Sequence, residues 1–311
     1  MAPVEPEHAR RIRFDRRIEV GAARGVGRHG TENRHVRPRA STGEHGIVRP
    51  MRMTAPAVLL VGVLCAPLAA APLPAGLGPT EPAMVAEVID GDTLRLADGR
   101  TVRLAAIRAP KPRPDRPAAQ PPHDIAEAAR AALAALVDGR PVGLAHEAGC
   151  EDRYGRLVAH VVDADGRWIQ AELVAGGFAR VDGAVEDRRA VALLLGPESA
   201  ARAARRGLWR LAPYRVVRPD ETARLLDSFQ IVEGEVRRVD RKGGRIWLDF
   251  GDDWRRDFTV LVPAPVARMF ARDGLDPALP AGTMVRVRGW IEWHNGPLIE
   301  LEFPEQIEVI R

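Results

Sequence analysis

The sequence predicts a mainly β fold with helices, an α+β chain built as two small Greek-key barrels in series. Short runs of alternating apolar and polar residues fill residues 84–162 and again 229–309, cut by Gly- and Asp-bearing turns. Each set carries a helical pattern inside it, after its first strands and before its last ones. A Pro-bearing stretch, Ala212-Pro213 to Arg218-Pro219, separates the sets. At 311 residues, with 46% hydrophobic and 28% charged side chains, the chain is long enough for two cores.

The first set opens with a strand over 84–96, and Ala97-Asp98-Gly99 turns it into a second over 100–107. Residues 109–122 are too rich in proline for a sheet and read as an exposed loop. Asp124 and Glu127 form a capping-box pattern for a helix. Its apolar face is Ile125, Ala129, Ala132, Leu133, Leu136 and Val137, and Gly139 ends it. Strands follow near 142–146 and 156–162, then an Asp165-Gly166 turn, a short helix over 169–175 and a last helix ending at Arg206-Gly207. Gly196-Pro197 is expected to kink or restart that last helix. This order fits an OB-like barrel with flanking helices.

The second set reads as strands over 229–239, 246–250 and 257–262, a helix over 265–272, and strands over 284–293 and 297–309. The turns are Lys242-Gly243-Gly244 and His294-Asn295-Gly296. This is again OB-like order. Trp247, Trp254, Trp290 and Trp293 are interleaved with Arg245, Arg255, Arg256, Arg286 and Arg288. Such aromatics either stack nucleic-acid bases or fill a small barrel's core, and the core is the preferred reading.

The net charge of +4 is unevenly spread. Residues 1–50 hold 11 arginines and 6 acids, and the rest of the chain holds 35 basic and 36 acidic side chains. Charge alone therefore does not make the barrels nucleic-acid binders. Residues 1–50 have a disordered composition. They read either as a basic arm or, preferably, as a stretch upstream of the true start that is never translated. Met51-Arg52-Met53, the apolar run 55–71 and its end Ala69-Ala70-Ala71 resemble a secretory signal peptide over 51–71. Pro56 and Pro67 make the run a poor membrane span, so no stable span is expected after cleavage and the protein is expected to be secreted or periplasmic, with an uncleaved anchor as the rival. Removal of that segment, with Cys65, leaves Cys150 as the remaining thiol. The expected organisation is a linker over 72–83, a first barrel over 84–210, a linker over 211–228 and a second barrel over 229–311.

Chemistry concentrates in three motifs: Asp90-Gly91-Asp92-Thr93, then Arg103-Leu104, then Asp152-Arg153-Tyr154-Gly155-Arg156. Two carboxylates on a turn suit a hard cation, and two arginines suit a phosphodiester clamped bidentately. These motifs, with the closing Arg206-Gly207-Leu208-Trp209, resemble the staphylococcal nuclease (thermonuclease) family over residues 84–210. The resemblance implies a five-stranded OB barrel with three helices and Ca²⁺-dependent cleavage of DNA and RNA. It implies Asp92 as a metal ligand supported by Asp90, Arg103 as the arginine between metal and phosphate, and Arg156 as the stabiliser of the transition state. Arg153 and Tyr154 join Arg103 and Arg156 as substrate contacts.

The departures are cationic. Arg108 stands where the family has its second metal aspartate, and Lys111 where it has its general-base glutamate. Ala109 keeps a backbone carbonyl that serves as a ligand in the family, and Gly183 and Val185 replace two nucleotide-packing tyrosines. Loss of a general base costs roughly 10²–10⁴ in rate. The specific expectation is that Arg108 fills the metal's space and pairs with Asp92 or Asp90, so that no metal is held. Three functions stay open: a module binding nucleic acid or another phosphate polyanion without cutting it, a Ca²⁺-dependent nuclease rebuilt around Asp115 or Asp124, and an envelope structural or protein-interaction module.

Overall fold

Strand β1 (Glu81–Asp90) runs into a tight reversal at Gly91-Asp92 and returns as β2 (Thr93–Leu96), in the register Val88↔Leu94 and Asp90↔Thr93. Alternation alone predicts one strand over 84–96. The reversal is a side-chain turn, in which Asp90 Oδ1 accepts the Asp92 amide at 2.9 Å. The computed structural model describes residues 80–111, 125–146, 150–253 and 255–310, with the side chain of Val185 excepted. The leading segment, the signal-peptide run, Asp115, Asp124 and Trp254 lie outside them.

Strand β3 (Thr101–Leu104) pairs with β2 across the Asp98-Gly99 turn, and Gly99 supplies the positive φ of 89° that the turn needs. The chain then turns at Ala105-Ala106 into β4 (Ile107–Arg108), so the expected strand over 100–107 is two pieces. Helix α1 (Ile125–Val137) buries Ala126, Ala129, Leu133 and Val137, one face at helical spacing. Strands β5 (Pro141–Ala145) and β6 (Leu157–Val162) complete a closed barrel in the order β1-β2-β3-β6-β5. In it β3 and β6 are parallel, and β5 closes antiparallel on β1. Helix α2 (Ile169–Ala175), β7 (Arg180–Val181) and helix α3 (Arg188–Ala203) follow, with β7 paired to β4. This is the expected OB barrel with three helices. Helix α3 runs through Pro197 and ends at Ala203, three residues before the expected stop. Gly207 lies so close to Gly177 that an added Cβ would sit 2.2 Å from the Gly177 carbonyl oxygen.

The second sheet holds β8 (Ser228–Glu235), β9 (Arg238–Lys242), β10 (Arg245–Asp249), β11 (Thr259–Val262), β12 (Met284–Trp293), β13 (Pro297–Glu300) and β14 (Ile307–Val309), with helix α4 (Ala264–Arg272) between β11 and β12. Its pairing order is β9-β10-β11-β13-β12-β8, with β14 added on β12. Here too the third and last strand positions, β11 and β13, pair in parallel. If β8 and β9 count as one strand interrupted at Val236-Arg237, the order repeats the OB order of the first barrel. The expected strand over 297–309 is broken at Pro304, where Gln306 Oε1 accepts the Glu302 amide at 2.6 Å.

The predicted role of tryptophan in the second core is corrected. Phe250, Phe258, Phe270 and aliphatic side chains fill that core, while Trp290 and Trp293 are exposed and Trp247 is half-buried. The stretch 211–228 is also no loose connector. Val217 bridges Val232, and Thr222 is buried with its hydroxyl donating to the Pro219 carbonyl.

Buried polar contacts join the barrels. The Arg288 guanidinium, almost fully buried, bonds Glu198 Oε2 of α3 at 2.9 Å, Glu308 Oε1 at 2.8 Å and the Val181 carbonyl at 3.2 Å. Glu198 Oε1 also accepts the Val181 amide at 2.8 Å. Arg188 of α3 grips Glu305, and Arg180 donates to the Phe229 carbonyl at 3.0 Å. A shared apolar cluster of Ala201, Leu208, Trp209 and Ile231 packs beside them. Among the described residues no helix is long and apolar enough to cross a membrane.

Candidate functional site

Two alanines and a glycine position the acidic turn. A Cβ on Gly91 would lie 2.6 Å from the Ala129 Cβ and 2.7 Å from that of Ala109, so the turn seats directly on α1 and on the segment after β4. This contact sinks Asp92 to zero exposure. A buried carboxylate needs partners. Asp92 Oδ2 accepts the Ala109 amide at 2.7 Å, and Oδ1 accepts the Thr93 hydroxyl at 3.1 Å and the Lys111 ammonium. The same ammonium sits 2.8 Å from Asp90 Oδ2. Lys111 thus bridges both carboxylates.

Burial pushes the Asp90 carboxyl up, but hydrogen bonds from Lys111 and the Asp92 amide, with the Lys111 charge, outweigh it and hold the group below its ordinary value.

The expectation that Arg108 would fill the metal's space is therefore corrected. Arg108 turns away from the aspartates. Its Nε donates to Asp182 Oδ2 at 2.5 Å, and its guanidinium carbon lies 5.1 Å from the Trp290 ring centroid and 5.6 Å from that of Phe229. The reason is the second barrel, which presents two aromatic faces beside β4. Lys111 reaches the carboxylates because the chain after β4 passes over the turn, as the Ala109–Asp92 bond records.

Arg103 stands opposite Thr93 in the β2–β3 register, and its Nη2 donates to the Ile107 carbonyl at 3.2 Å. Arg156 approaches the same threonine, with Nη1 3.5 Å from the hydroxyl. Thr93 thus pairs with Arg103 through the strand register and with Arg156 through its hydroxyl, next to the turn carrying Asp90 and Asp92. Arg156 is already held: Nε lies 2.7 Å and Nη2 2.6 Å from Asp152 Oδ2, while Asp152 Oδ1 takes the Tyr154 and Arg156 amides. Asp163 and Arg167 build the same loop at the next turn, with Nε 2.6 Å from Oδ2. The Asp-x-x-Gly-Arg loop is thus a rigid turn device, and Nη1 of Arg156 is the edge that faces the acidic turn. Tyr154 is exposed, with the Arg153 and Arg156 guanidinium carbons 5.0 and 5.3 Å from its ring centroid. Gly183 offers no aromatic face, and the side chain of Val185 lies outside the described residues.

Sequence reasoning assigns no role to Thr93, Asp152 or Asp182. The spacing of four between Asp152 and Arg156, repeated at Asp163 and Arg167, is the legible signal for one of them. The Arg108–Asp182 pair spans 74 residues and leaves none.

Ca²⁺ takes six to eight oxygen ligands. The residues present do not fit it: two carboxylates face one another across an ammonium, and each of their oxygens already accepts a hydrogen bond. Among the described residues no group of three or more His, Cys, Asp or Glu could hold a metal ion.

Residues 101–211 match the family described as staphylococcal nuclease homologue. The match begins after the turn that carries Asp90 and Asp92 and includes Arg103, Arg108, Lys111 and Arg156. No curated protein matches the chain.

Proposed function

With residues 101–211 as a staphylococcal nuclease homologue domain, a family of nucleases and nucleic-acid binders, we propose that this chain binds a phosphate polyanion, with nucleic acid as the leading candidate, and does not hydrolyse it by a metal-dependent route. The observation that carries the reading is the Lys111 ammonium between Asp90 and Asp92. It supplies tethered positive charge beside the arginines and takes the place where a dication would compensate the carboxylates. Arg156 points a guanidinium donor at Thr93, Arg103 stands across from that threonine on β3, and Arg153 and Tyr154 flank Arg156. A phosphodiester held there meets fixed cations and no carboxylate free to activate water. Binding is then a Coulombic and hydrogen-bonding event that leaves the ester intact. Export from a start at Met51 or Met53 is part of the proposal, on the strength of the apolar run ending at Ala71.

The test is a nuclease assay of the full chain on single-stranded DNA, in calcium and in chelator, with Asp92→Ala and Arg156→Ala as contamination controls. The proposal expects intact DNA in every lane. Calcium-dependent cutting that disappears in both variants would overturn it and direct attention to Asp115 and Asp124.

A further inference from the structure

A cleft of about 570 Å³ opens between the barrels. Arg108 and Asp182 line it from the first barrel, and Phe229, Trp290, Glu300 and Glu302 from the second. The cleft already displays how its walls hold a cation. The Arg108 guanidinium lies against the Trp290 and Phe229 rings and bonds the Asp182 carboxylate. That pair neutralises Asp182 and nothing more. Glu300 and Glu302, with Glu292 beside them, have no cationic partner among the described residues, and the lining carries one arginine against four acids. Glu292, Glu300 and Glu302 are exposed to solvent, yet partial desolvation by the cleft walls, with repulsion from Asp182, Glu186, Glu300 and Glu292 added, pushes the Glu302 carboxyl above its ordinary value.

The arrangement discriminates between ligand classes. Phosphate is repelled. A metal ion needs several carboxylates converging on one point, and among the described residues these acids form no such group. They are spread instead along β12, β13 and the turn after it, with Glu292 opposite Leu298 two residues before Glu300. Spread carboxylates beside a half-exposed indole suit a flat organic cation, which stacks on the ring and bonds carboxylates edge-on.

We propose that this cleft binds the guanidinium of an arginine presented by a partner polypeptide, seated on the part of the Trp290 indole that Arg108 leaves exposed, among Glu292, Glu300 and Glu302. The site is independent of the phosphate-binding reading and opposite to it in charge. Together with that reading it would give the chain two recognition surfaces of opposite sign.

The probe is the tripeptide amide acetyl-Gly-Arg-Gly, titrated calorimetrically into the full chain. Its citrulline and lysine analogues and free methylguanidinium serve as comparisons. The expected result is saturable binding of the arginine peptide, weakened about tenfold in Glu300→Gln/Glu302→Gln. Trp290→Leu is expected to weaken it about threefold. Citrulline, which keeps the shape and lacks the charge, is expected not to bind. The proposal is overturned by an absence of saturable binding, by equal binding of the citrulline or lysine peptide, or by methylguanidinium binding as tightly as the peptide. The ligand comparisons use the unaltered protein, so they decide the matter even if a variant fails to fold.

Discussion

Replacing Lys111 with methionine removes one charge and keeps most of the side-chain volume. The ammonium it deletes lies 2.8 Å from Asp90 Oδ2 and also bonds Asp92 Oδ1. Its loss leaves two carboxylates on one turn, one of them fully buried, with only hydrogen-bond donors for compensation. Fully exposed ion pairs contribute about 0–1 kcal/mol, and breaking a fully buried one costs about 3–5 kcal/mol. Here the carboxylate end is buried and the ammonium end is 46% exposed, which places the cost near 2 kcal/mol. For a unit of this size that is a fall in Tm of about 4–8 °C. The variant also acquires what the native protein lacks, an uncompensated pair of acids. Calcium at about ten times its Kd would then return about 1.4 kcal/mol to the variant and nothing to the native chain. Thermal unfolding followed by circular dichroism, in calcium and in chelator, reads both effects. An unchanged Tm in Lys111→Met, or a native Tm that rises with calcium as much as the variant's does, would rule out a stabilising Lys111 bridge in place of a cation.

Other perturbations test the frame around the site. Glu198→Gln removes one of the two carboxylates on the buried Arg288, leaving Glu308, and is expected to cost about 1.5–3 kcal/mol in urea unfolding, whereas Glu87→Gln, whose pair with Arg95 is exposed, should cost under about 1 kcal/mol. Gly91→Ala forces a methyl to within 2.6 Å of Ala129 and is expected to cost about 1–3 kcal/mol, measured by the same unfolding curve. Asp90 and Asp152 both have depressed carboxyl pKa values: burial raises each, and the bonds from Lys111 and from Arg156 outweigh it. A depressed carboxyl contributes stability above its unfolded value, so that contribution should persist at neutral pH and fall away as pH drops below about 4. Lys111→Met should flatten the Asp90 part of that acid limb, and a pH series of melts would reveal a limb that fails to change.

Local chemistry made much of the fold legible. The Asp98-Gly99, Gly243-Gly244 and Asn295-Gly296 turns carry the positive φ angles that their residue types permit, and they set the hairpins where the pattern put them. The α1 face followed from its spacing. Misreadings arose where a side chain or a distant element overrides the alternation. Asp90 folds the expected first strand back on itself through its own side chain. Val217 reaches β8 across a stretch whose prolines read as a linker. At the site, the sequence shows two cations close in the chain to the aspartates but not which one meets them. Arg108 is closer to the turn in sequence, yet Trp290, 182 residues away, offers it an aromatic face, and that competition is invisible without the second barrel. For the same reason the acidic cleft was unreadable, because its walls come from both barrels.

Phosphate binding by this chain is proposed to need no metal. The direct measurement is the affinity of the full chain for single-stranded DNA across a salt series, in calcium and in chelator, beside Arg103→Ala/Arg156→Ala. The expected outcome is the same affinity with and without calcium, a fall of affinity with salt, and a slope shallower by about 0.7 for each phosphate that the variant no longer neutralises. Binding that requires calcium, or that is unchanged in the double variant, would contradict it.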